Sequence, residues 1–163
     1  MVLRRFGEAP GAGGEAPEIA GLPARVALSE GAANAGPTAL FAPGSVRVTD
    51  ADSPDFAGGV LRVTPVFASA PLSELRPAPD GLSQHALGLA EGPRLALGPE
   101  GELRVDGARV GRLTRDGAEG APLEVALEAG AGPAAVAALI EALTYANASD
   151  DPAPAHALRV QLR

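Results

Sequence analysis

The chain has no cysteine, no tryptophan and only two histidines. Without thiols there is no disulfide scaffold, no thiolate metal site and no cysteine nucleophile, although cysteine-free chains occur both inside cells and on bacterial surfaces. His85 and His156 stand apart among small residues, outside any HExxH arrangement, and read as surface or strand positions. Aromatics amount to one tyrosine and four phenylalanines, so the core must come from Val, Leu and Ala, and stacking platforms for sugars or bases are few. No serine sits in a GxSxG elbow, and Gly11-Ala12-Gly13-Gly14 neither follows a strand nor opens a helix. Paired carboxylates alone are a weak case for glycosidase chemistry where sugar-stacking aromatics are this scarce. These absences point to a protein that is not an enzyme.

Two further absences concern location. No run of about 18 apolar residues is present to span a membrane. Met1–Phe6 carries two arginines but runs into Gly7-Glu8-Ala9-Pro10-Gly11 and not into an apolar stretch, so no cleavable signal peptide is visible. Such a chain is an excerpt or mature form, is exported by a route that reads no N-terminal signal, or stays inside. Its 13 basic and 20 acidic residues give a net charge of −7, which disfavours nucleic acid and anionic lipid. A cation or a neutral surface is the easier partner.

What is present is patterned. At 163 residues the chain suits one domain able to bury a core, and its 21 glycines and 16 prolines punctuate apolar runs that would be missing from a disordered chain. Residues 7–17 form a Gly/Pro/Ala linker behind Met1–Phe6, and folding is expected from Glu18 to Arg163. Val26 and Leu28 show the period of two of a half-buried strand, repeated by Val46 and Val48. Leu61, Val63 and Phe67 share one face of a longer run, with Arg62 and Thr64 on the other, and Pro65 marks a sheet edge or bulge. Residues 68–82 read as a surface loop. Strands are expected at His85–Ala90, Arg94–Leu97, Glu102–Val105, Leu123–Leu127 and Leu158–Leu162, and Asp106-Gly107 predicts a type I′ hairpin. One helix near 133–143 opens at Pro133 and places Val136, Leu139, Ile140 and Leu143 on one stripe. This is the outline of an all-β antiparallel sandwich with one short helix.

Two acidic stretches carry the candidate chemistry. Val48-Thr49-Asp50-Ala51-Asp52-Ser53-Pro54-Asp55-Phe56 sets three carboxylates between two strands, and Asp150-Asp151 precedes the last strand. Hard cations such as Ca2+ take six to eight oxygen ligands, and an acidic loop pinned by strands supplies several. The alternative is an Asx-type turn in which the carboxylates bond their own backbone. If the flanking strands are antiparallel neighbours, the two stretches meet, and a bound cation offsets their mutual repulsion.

The succession Leu28-Ser29-Glu30-Gly31, Val46–Gly59, Val110-Gly111-Arg112-Leu113 and Leu123–Leu127 resembles a bacterial cadherin-like repeat, and Gly132–Pro152 is the strongest part of the likeness. It covers roughly residues 18–163. The resemblance implies an immunoglobulin- or cadherin-like sandwich in a secreted or surface-bound bacterial protein of the adhesin type, its acidic loops binding Ca2+ and stiffening a row of domains. By position the ligands fall on Asp50, Asp52, Asp150 and Asp151, with Glu30 and Asp55 beside them. Partners would be neighbouring repeats or copies of the chain, or a surface glycan or protein. The chain departs from the pattern in its private segment 1–17 and in stopping at Leu162-Arg163 without an Asp-Gly-rich junction. That segment suggests a second reading: Val2, Leu3 and Phe6 form a strand lent to the sheet of the next copy, building a filament or surface layer. A carbohydrate-binding accessory domain is a third.

Overall fold

Strand β4 (Val60–Phe67) sets the main sheet, because Leu61 and Val63 turn to one side and are fully buried while Arg62 and Thr64 turn to the other. The computed structural model describes residues 17–23, 26–51, 53–67, 85–148 and 156–163. Around β4 a six-stranded antiparallel sheet runs in the order β11–β4–β9–β8–β7–β6. Its other members are β6 (Leu95–Leu97), β7 (Glu102–Val105), β8 (Ala108–Asp116), β9 (Leu123–Leu127) and β11 (His156–Leu162). Each repeats the alternation: Leu95, Leu103, Val105, Leu123, Val125, Leu127, Leu158, Val160 and Leu162 all face the core.

Two irregularities keep that face apolar. The hairpin at Asp106-Gly107 has φ of 51° and 84°, the paired positive values of a type I′ turn. Between Leu103 and Arg104 the β7–β8 register then slips by one residue of β8, and the extra residue, Val110, is buried to 1% exposure. The bulge turns Val110 inward together with its neighbour Gly111, so that Arg112, opposite Glu102, returns to the outer face. Pro65 sits beyond the last β4–β9 pair, Val63–Leu123, and opposite Leu158 of β11. Val60 and Arg163 exchange both backbone bonds, so by alternation the Pro65 nitrogen faces the β9 side, where no ladder partner follows. The proline therefore costs the sheet no hydrogen bond.

The remaining strands form a three-stranded sheet, β2 (Thr38–Ala39), β10 (Leu143–Asn147) and β5 (His85–Leu89), and a two-stranded ribbon of β1 (Glu18–Ala20) and β3 (Arg47–Thr49). Every pairing is antiparallel. The described chain is thus all-β with two short helices, α1 (Glu30–Ala35) and α2 (Pro133–Glu141). In α2 every residue from Val136 to Ile140 is buried, and the helix packs on β3 and β7. The two sheets touch where the Leu87 N–H donates to the Gly117 carbonyl at 2.8 Å. A Cβ on Gly117 would lie 2.7 Å from Leu87 Cβ, so only glycine permits this approach.

Two expectations need correction. Val26 and Leu28 form no strand: they are partly buried against the core but have no ladder partner, and the Ser29 hydroxyl that follows accepts the Ala32 N–H at 3.1 Å and caps α1. The second helix ends at Glu141, two residues early. Leu143 instead opens β10, still fully buried, and Tyr145-Ala146-Asn147 continues that strand.

Candidate functional site

The acidic loop leaves β3 at Thr49 and is tied down at several of its described residues. Asp50 Oδ1 accepts the Ser53 N–H at 3.2 Å, and Asp55 Oδ1 accepts the Ala57 N–H at 3.0 Å. These are the local carboxylate-to-backbone bonds of Asx-type turns. Phe56 turns into the core at 8% exposure, and its N–H donates to the Ala131 carbonyl at 3.0 Å. Gly58 donates to Leu127 at 2.9 Å, and the Pro54 carbonyl lies against Gly132 at the start of α2. The loop therefore rests on the connection between β9 and α2, at the end of β4 where Val60 meets Arg163.

Of the residues read from the sequence as ligands, Asp50 is half-buried, Asp55 is exposed, and Glu30 opens α1. Asp52, Asp150 and Asp151 lie outside the described residues, as do Val2, Leu3 and Phe6. Among the described residues no three His, Asp or Glu side chains are grouped so as to hold a metal ion. The strands beside the two acidic stretches are not neighbours, since β3 pairs with β1 whereas β11 pairs with β4. His156, where β11 begins, pairs with Phe67 at the far end of β4, about 23 Å from Val60 at 3.3 Å per residue. His85 begins β5 where a strand was expected, and β11 begins at His156, two residues ahead of the expected Leu158.

Sequence reasoning missed a second charged region, on the outer face of the six-stranded sheet. Glu124 of β9 holds Arg62 at 3.1 Å and Arg115 at 3.2 Å, one from each flanking strand. Glu102 of β7 holds Arg104 at 2.6 Å and Arg109 at 3.6 Å, and Arg109 also reaches Glu128 at 2.7 Å. The hydrogen bond to Glu128, then its charge, raises the pKa of the Arg109 guanidinium above its ordinary value. At the hairpin end Arg94 forks onto Asp106 at 2.9 Å, and that bond holds the Asp106 carboxyl below the usual carboxylate range. The signal was in the sequence: Arg and Glu occupy the positions that alternate with the apolar residues of these strands.

Two polar side chains of β10 pair in the interior. Tyr145 in β10 is 3% exposed, and burial pushes its phenol up to about 12, against the opposing effect of the bond its oxygen accepts from Asn147 Nδ2 at 3.3 Å. Glu141, the last residue of α2, accepts the Val46 N–H at 3.0 Å and so ties the helix to the start of β3. A shallow depression of about 480 Å³ is lined by Leu113, Thr114, Arg115, Asp116 and Ala121. Compared with known proteins, the chain matches no family model, no curated protein and no solved structure.

Proposed function

We propose that this chain is a non-enzymatic, extracellular structural or adhesive module of a bacterial surface or secreted protein, an immunoglobulin- or cadherin-like sandwich stiffened by Ca2+. The observation that carries this reading is the pinned acidic loop, in which Phe56 is anchored to Ala131 and both described aspartates are oriented by backbone bonds. The donor chemistry fits a hard cation, because carboxylates and backbone carbonyls offer oxygen alone. Asp50 and Asp55 supply part of such a set, and Asp52, in the same loop, would have to complete it. Bound Ca2+ would neutralise carboxylate repulsion and stabilise the folded state by mass action. The test is a calorimetric calcium titration of the whole chain beside an Asp50→Asn, Asp52→Asn variant. Saturable heat in the parent that is lost in the variant supports the reading, and equal heat in both sinks it.

A second reading, self-assembly, draws on β11, which pairs only with β4 among the described strands. The backbone groups of Leu158, Val160 and Leu162 alternate away from β4 toward that open edge. Val2, Leu3 and Phe6 of another copy would add there as a strand. Light scattering after size exclusion tests it: the full chain should form polymers, and a chain lacking residues 1–17 should elute as a monomer.

A further inference from the structure

We infer that Glu91 closes the β6 edge of the six-stranded sheet against strand pairing with a second copy of this chain. Among the described strands β6 is the last on its side and pairs with β7 alone. The Gly98 N–H donates to the Glu102 carbonyl at 2.7 Å and the Asp106 N–H to the Arg94 carbonyl at 2.8 Å, so the backbone groups of Arg94, Ala96 and Gly98 face β7. Those of Leu95 and Leu97 therefore face outward. Such an edge offers donors and acceptors to any strand that reaches it.

The chain occupies that edge itself. Glu91 Oε1 accepts the Leu97 N–H at 2.9 Å, and the Gly92 N–H donates to the Leu95 carbonyl at 3.0 Å. The strap carrying both groups is short and fastened at each end. Before it, the Ala90 N–H donates to the Ala142 carbonyl at 2.9 Å. Behind it, Asp106 holds Arg94 twice, by its N–H to the Arg94 carbonyl and by its carboxylate to the guanidinium. The two β6 groups so occupied are the ones a second copy would need. In an antiparallel β6–β6 pair with its two-fold at Ala96, Leu97 lies opposite Leu95 of the other copy, and the Leu97 N–H meets that Leu95 carbonyl. Ala96 then faces its own counterpart at about 4.5 Å between Cα atoms, and its exposed methyl is no obstacle. The obstacle is the strap, whose carboxylate makes a charge-assisted bond that an incoming carbonyl cannot match. This edge lies at the opposite side of the sheet from β11, so the inference stands whether or not residues 1–17 add a strand there.

Two variants of the full chain separate the acceptor from the charge. Glu91→Ala and Glu91→Gln both remove a negative charge, but only glutamine keeps a side-chain oxygen for the Leu97 N–H. By amide exchange in NMR, the Leu97 proton should exchange about tenfold faster in Glu91→Ala than in the parent, with the Leu123 amide of the core unchanged. In sedimentation over a concentration series, Glu91→Ala should self-associate about tenfold more tightly than the parent, and Glu91→Gln should stay at the parental level. Adding Ala96→Glu to Glu91→Ala should restore the parental level, because like charges then meet across the two-fold, while Arg104, opposite residue 96 on β7, accommodates the carboxylate within each copy. Parental Leu97 exchange in Glu91→Ala, no gain in association, equal association of the alanine and glutamine variants, or association that Ala96→Glu leaves intact would each overturn the inference.

Discussion

Gly117→Ala tests the contact between the two sheets. Gly117 has φ of +74°, where a Cβ costs about 1–2 kcal/mol for any L residue. Here the added carbon also meets Leu87 Cβ at 2.7 Å, the Leu87 carbonyl oxygen at 2.9 Å and Leu123 Cβ at 3.1 Å. Each is closer than ordinary carbon contact, and Leu123 is fully buried, so relief requires the sheets to part. Overpacking of this kind costs about 1–3 kcal/mol, giving roughly 2–5 kcal/mol in total. Gly107→Ala is the matched control. Its φ is +84°, yet nothing lies within 4 Å of the added carbon, so it should lose only the backbone share of about 1–2 kcal/mol. Urea denaturation of both variants measures the difference. If Gly117→Ala costs no more than Gly107→Ala, the close approach of β5 to the turn after β8 is wrong.

Other expectations concern the buried polar groups. Tyr145 is the only tyrosine and the chain has no tryptophan, so phenolate absorbance reports it alone. Its folded pKa of about 12 lies above the unfolded value near 10, so its contribution is full below pH ~10 and is lost as pH rises through about 12. Roughly 2–3 kcal/mol of stability should disappear across that window, and a phenolate midpoint near 10 in the folded protein would contradict the burial. Glu141→Ala removes the acceptor of the Val46 N–H and should cost about 1.5–3 kcal/mol by urea denaturation. A loss under about 0.5 kcal/mol would mean that water replaces the carboxylate there.

The strands that were legible in the sequence are those with one wet face. β4, β7, β9 and β11 alternate apolar with polar residues because one side meets the core and the other meets solvent or the ion-pair layer. β10 was not legible for the opposite reason. Leu143, Thr144, Tyr145 and Asn147 are all buried, since the strand lies between β2 and β5 with both faces covered, and alternation vanishes. Leu143 also fell at i+7 of the helical stripe, so a fully buried strand start was read as a helix end. At 26–29 the period of two was real, for Val26 and Leu28 do turn toward the core, but two residues cannot tell a strand from an extended lead-in to a capped helix. Net charge misled in a similar way. The value of −7 averages over a face whose arginines come from four strands, and only the register of those strands gathers them. The acidic loop was found at once, and its local bonds proved to be those of the turn alternative, which leaves calcium to be settled by binding.

The most direct measurement is the melting temperature of the whole chain in saturating calcium and again in chelator. A ligand held at a hundred times its dissociation constant adds about 2.7 kcal/mol, which for a chain of this size raises the melting temperature by roughly 5–10 °C. The account predicts that rise and its loss in the Asp50→Asn, Asp52→Asn variant. Identical melting of the parent chain in both solutions would contradict it.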